Sequence, residues 1–137
     1  MSPVGVIKKK GGRVVVATND GEFEAAIPFE EIREFINNGH LRWKLGKYIH
    51  DNGDEYVFTA FEEFSRAVVY ILLRKARLNK EEAYKASLWL KTSEVDSIVG
   101  GLFLRLFDYK LNNDKEGCRR VVSIFVEIAK AYAKLVL

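Results

Sequence analysis

Residues 40–58 read HLRWKLGKYIHDNGDEYVF, and how this stretch folds decides the size of the sheet. Asp51-Asn52-Gly53 is a strong hairpin turn, because Asn and Gly tolerate the positive φ that a tight connection demands. DEYVFTA after it carries the aromatic and β-branched residues of a strand. HLRWKLGKYIH before it is read as the partner strand, since Gly46 weakens a helix interior. On that reading Arg42 and Lys44 share one face, while Leu41, Trp43 and Leu45 share the other.

Upstream, VGVIKKKGGRVVVATNDGEFEAAIP reads as a β-meander. Gly11-Gly12 suits a two-residue hairpin, and Asn19-Asp20-Gly21 a second turn, giving strands near 4–10, 13–18 and 22–27. Pro28 then opens a helix where its missing N–H costs nothing, Glu30 and Glu31 suit the first turn, and Gly39 ends it. Phe29, Ile32 and Ile36 form its inward stripe. Five strands are therefore expected, in two groups split by a helix.

Downstream the pattern is helical. FEEFSRAVVYILLRKARL (61–78) precedes Asn79, an N-cap for KEEAYKASLWLKT (80–92). Ser93 with Asp96 resembles a capping box for a third helix, and Asn113-Asp114 caps the last. In that third helix, Gly100-Gly101 allows close helix packing or a bend. The fold class is α+β: a small N-terminal antiparallel sheet of roughly four to five strands, packed with a mostly helical C-terminal half ending in a long apolar helix. One domain, 1–137, is expected, sheet-rich over 1–59 and helical over 60–137.

With 137 residues, 48% hydrophobic and 12% aromatic, the chain can bury a sizeable core. No apolar run approaches a membrane span, and SPVGVIKKK does not follow the order of a signal peptide, so a cytoplasmic location without a membrane is expected. The lone Cys118 offers no disulfide framework and suits a small apolar packing position. Charge is modest at +3 but segregated. Lys8, Lys9, Lys10 and Arg13 stand in residues 1–18 without an acid, and acids dominate 19–36. Residues 40–50 are basic, 51–63 acidic and 66–80 basic. Such blocks fold into separate positive and negative faces or into ordinary solvated surface. The absence of Gln, with Lys, Arg, Glu and Asp at 30%, resembles hyperthermophile composition, whereas seven Asn lean the other way.

Catalytic signatures are missing: no Walker loop, dinucleotide fingerprint, nucleophile elbow or HExxH. No enzyme activity, cofactor or metal is expected. His40 and His50 are the only histidines, and cations separate them. A basic, aromatic stretch points instead to single-stranded DNA or RNA. Trp43 offers a π-face to a base, and Tyr56 and Phe58 share a face for the same purpose. Arg42, Lys44 and Lys47 neutralise phosphates, with the tip Lys8–Arg13 and the pair Arg74 and Lys75 adding more. Competing with this, Trp43, Tyr48, Tyr56 and Phe58 equally suit a core face with the lysines solvated outside. In the last helix Val121, Phe125, Ile128, Tyr132 and Leu135 recur at alternating intervals of four and three, and Val122, Ala129 and Val136 form a second line. That pattern fits either core burial or a homodimer through the C-terminal helix.

On these residues, and on the order of its elements, the chain resembles the ThermoDBP family of single-stranded DNA-binding proteins of hyperthermophilic archaea. The resemblance covers most of the length and rests on no short diagnostic motif. It implies an aromatic cleft from Trp43, Tyr48, Tyr56 and Phe58, and a basic rim from Lys10, Arg13, Arg42, Lys44 and Lys47. It also implies subunit pairing through Val121 to Leu137. The expected function is sequence-tolerant binding of single strands. The alternative is a helical protein-interaction subunit, docking through the last helix or the 61–78 helix, with its charge blocks setting partner choice.

Overall fold

The computed structural model describes residues 2–19 and 21–136, apart from the side chains at 103, 106, 107, 109–111, 118, 132, 133, 135 and 136. The chain runs β1 (Gly5–Lys10), β2 (Arg13–Ala17), β3 (Glu22–Ala25), α1 (Phe29–Asn37), α2 (Gly39–Arg42), β4 (Ile49–Asp51) and β5 (Glu55–Phe58). Four longer helices complete it: α3 (Phe61–Lys75), α4 (Lys80–Trp89), α5 (Thr92–Leu111) and α6 (Lys115–Val136). The protein is α+β, with a five-stranded antiparallel sheet in the order β3-β2-β1-β5-β4.

The two hairpins form one sheet because β1 pairs with both β2 and β5. Its register places Ile7 between Val16 and Tyr56, and Gly5 opposite Phe58. Alternation then sends Ile7, Val14, Val16, Phe23, Tyr56, Phe58 and Ile49 to one face. Helix α3 lies on that face, where Phe64 meets Phe58 with ring centroids 5.5 Å apart. A Cβ at Gly5 would fall within the Phe64 ring, so only glycine lets the helix approach so closely.

Local chemistry explains most helix ends. Asn79 accepts from the Glu82 backbone N–H at 2.8 Å, and Asp114 accepts from that of Gly117 at 2.8 Å. Helix α3 has Glu62 and Glu63 in its first turn and Arg74 and Lys75 in its last, matching the helix dipole. It stops at Lys75, three residues short of the expected end, where Arg77 takes a positive φ of 71°. Ser93 does not cap α5. The helix begins at Thr92, and Glu94 accepts from the Lys91 backbone N–H at 3.1 Å instead.

Two larger expectations also need correction. Residues 40–48 are not a strand. Gly39, at φ +57°, turns the chain from α1 into α2, and local backbone bonds then carry it through Trp43 to Lys47. Gly46, at φ +80°, reverses the chain so that Tyr48 and Ile49 both donate to the Lys44 carbonyl. Leu41, Leu45 and Ile49, each four residues apart, turn inward. That is helix-like periodicity rather than the alternation of a strand. The last helix is long but amphipathic rather than apolar. Val121, Val122 and Ala129 are buried, while Arg119, Arg120, Ser123 and Glu127 face solvent.

Candidate functional site

The turn from His40 to Lys47, the first turns of α3 and the end of α4 surround a cleft of about 550 Å³. Gly39 positions α4 behind it. A Cβ there would collide with the Tyr84 hydroxyl, so glycine allows α4 to close against α2. Leu41 and Leu88 provide apolar wall, and Trp43 stands at the mouth, 84% exposed. Arg42 is also exposed. Lys44 and Lys47 reach over the Tyr48 ring, their Nζ atoms 5.3 and 5.1 Å from its centroid. A cation over a π-face is attracted by the ring quadrupole, which holds both ammonium groups beside the cleft.

The cleft also contains acids. Glu62 receives an ion pair from Arg66 at 3.5 Å and a hydrogen bond from the Thr92 hydroxyl at 3.3 Å. Arg66 is anchored in turn, donating to the carbonyls of Ser87 at 2.6 Å and Leu90 at 3.0 Å. Glu63 is buried, and its ion pair among the described residues is with Lys44 at 3.9 Å. Sequence reasoning missed Glu63, Arg66 and Leu88 because they belong to helices distant in the chain from Trp43. Leu41, Leu45 and Ile49 at intervals of four were the available signal that Trp43 would point outward.

The other expected residues lie elsewhere. Tyr56 and Phe58 are core residues at 0% exposure and offer no ring face to a ligand. The register puts both on the face under α3, and Tyr56 stacks on Phe29 with centroids 5.8 Å apart. Burial, aided by the Asp51 charge, raises the Tyr56 phenol above its ordinary pKa. Lys10 and Arg13 face each other at the β1–β2 tip, where Lys10 pairs with Glu24 at 3.3 Å. Five residues of strand separate Lys10 from Gly5 at the cleft end of the sheet, roughly 17 Å at about 3.3 Å per residue. The tip therefore does not join the rim around Trp43.

Arg74 is committed to Glu31 through bonds of 2.6 and 2.9 Å and to the Leu78 carbonyl at 2.7 Å. Lys75 donates to the Glu24 carbonyl at 3.4 Å, and burial lowers its pKa. In α6, Val121 is buried, while Phe125 and Ile128 pack against the core of the same chain. Gly101 of α5 lets the Phe125 ring come close. Tyr132 and Leu135 lie outside the described side chains, as does Cys118. Among the described residues no group of three or more His, Cys, Asp and Glu side chains could hold a metal ion, and no helix is long and apolar enough to cross a membrane.

No family model, curated protein or solved structure matches the chain.

Proposed function

We propose that this protein binds single-stranded nucleic acid, DNA or RNA, without catalysing a reaction. The observation that carries the reading is Trp43, 84% exposed beside Lys44 and Lys47 at the mouth of a cleft of about 550 Å³, with the exposed Arg42 next to it in the chain. A lone exposed aromatic is ordinary, but one ringed by cations combines the two contacts a single strand needs. The indole stacks on one base for about 1–3 kcal/mol, and the cations neutralise neighbouring phosphates. A duplex keeps its bases stacked on each other and has no free π-face to offer. Kinship with the ThermoDBP family belongs to the same proposal, with a cleft reduced to Trp43 and Tyr48 and a rim reduced to Arg42, Lys44 and Lys47.

Titration with labelled oligo-dT, a single-stranded RNA and a duplex, at two salt concentrations, tests it. Tight, salt-sensitive binding of the single strands over the duplex is expected. Absence of binding to any of them at low salt overturns the reading.

A second reading rests on Trp89, Leu104 and Ile124, which are exposed on α4, α5 and α6. These would serve a protein-interaction subunit, of which a homodimer through α6 is one form. A concentration-dependent mass in sedimentation, abolished by Ile124→Glu, supports pairing. A monomer at every concentration removes the homodimer.

A further inference from the structure

The same cleft has a floor that a purely electrostatic strand binder does not need. Glu62 and Glu63 both line it. Carboxylates repel phosphate, so a strand reaching this cleft keeps its phosphates at the rim, with Arg42, Lys44 and Lys47, and turns a base inward. The two acids are not equivalent. Glu62 is half-exposed and already engaged by Arg66 and the Thr92 hydroxyl. Glu63 is 5% exposed, yet Lys44 stands 3.9 Å away, beyond hydrogen-bond distance. No hydrogen bond to the Glu63 carboxylate occurs among the described residues. A buried carboxylate normally gathers a set of donors. The Glu63 carboxylate instead keeps accepting capacity on the side of an open cavity beside an exposed tryptophan.

A group with two adjacent N–H donors would use that capacity fully. A carboxylate presents two acceptor oxygens side by side and no proton to donate. Guanine alone among the common bases places two donors, N1–H and the N2 amine, next to each other on its Watson–Crick edge. Adenine and cytosine each offer one amine beside a ring-nitrogen acceptor, and thymine or uracil offers one N–H between two carbonyl oxygens. For these three, one carboxylate oxygen would face a lone pair. We infer that the cleft selects guanine, held by Glu63 through its N1–H and N2 amine while the ring stacks on Trp43. This rests on the single-strand reading above and adds to it one base-selective position within an otherwise sequence-tolerant contact.

The test uses the full chain and four ten-nucleotide strands of dT, the three variants carrying one central dG, inosine or dA. Inosine keeps N1–H and lacks the N2 amine. A single dG should tighten binding over plain dT by about 5- to 150-fold, the range of a good bidentate contact. Inosine should lose most of that gain, and dA all of it. Glu63→Gln, checked for an unchanged melting temperature, should abolish the dG preference, so that the dG and plain dT strands bind this variant equally. Equal affinity for all four strands overturns the inference while the single-strand reading survives. A dG preference that persists with inosine, or in a folded Glu63→Gln protein, also overturns it. Failure to bind any strand overturns both.

Discussion

Glu31 and Glu63 are each 5% exposed, each sits in the first turn of a helix, and each faces a cation from another element. Their surroundings could hardly differ more. Arg74 grips both oxygens of Glu31, and the Tyr70 hydroxyl donates to it at 3.2 Å. Burial alone would raise the Glu31 pKa, but Arg74 and Tyr70 outweigh it and the net shift is downward. Glu63 has a lysine at 3.9 Å and an open cleft in front of it. Equal burial therefore conceals two roles. One carboxylate is saturated and ties α1 to α3; the other borders an open cleft with accepting capacity left over. The two cations differ in the same way, since the planar Arg fork closes both oxygens and the Lys ammonium is a point charge on a flexible stem.

The strongest challenge to this contrast is Arg74→Ala. It strands a buried charge and should cost about 3 kcal/mol in denaturant unfolding, near the lower bound for breaking a buried pair because Arg74 is partly exposed. Lys44→Ala, by comparison, should cost under about 1 kcal/mol, because the pair is long and Lys44 is 40% exposed. Equal losses would erase the distinction.

Trp43→Ala should weaken oligo-dT binding by about 1–3 kcal/mol and leave both stability and the salt slope nearly unchanged. A loss of stability would place the indole in the fold rather than at a contact. Replacing Arg42 and Lys44 together should lower the slope of log affinity against log salt by about 1.4, at roughly 0.7 per phosphate contact on a single strand.

The pH dependence tests the Glu31 side of the contrast. A carboxyl whose folded pKa lies below its unfolded value stabilises the protein above the unfolded pKa, near 4.3, and that stability is lost as pH falls through the folded pKa. Glu31 meets this condition. Unfolding free energy should therefore drop below about pH 4 in the parent chain, and less steeply in Glu31→Gln. An identical acid limb in both would show that the decline comes from other carboxylates.

Local signals carried much of the fold. Gly11-Gly12 and Asp51-Asn52-Gly53 mark their turns because few residues accept positive φ. Asn79 and Asp114 mark helix starts because their side chains reach backbone N–H groups within three residues. The same local logic misled at residues 40–48. The basic, aromatic composition suited a strand, but Gly39 and Gly46 allow a closed turn whose backbone bonds are satisfied within the segment itself.

What the linear chain determined by itself was the set of turns, the helices and the residues that share a strand face, because those follow from dihedral preference and hydrogen bonds a few residues apart. Tertiary structure alone decided which face is covered. Pairing of β1 with β5 and the placement of α3 buried Tyr56 and Phe58, while Trp43 remained in solvent. It also gave Glu31 an arginine and Glu63, among the described residues, a lysine at 3.9 Å. Alternation and charge say which side chains lie together, but whether a neighbouring element removes them from water depends on contacts between segments far apart in the chain.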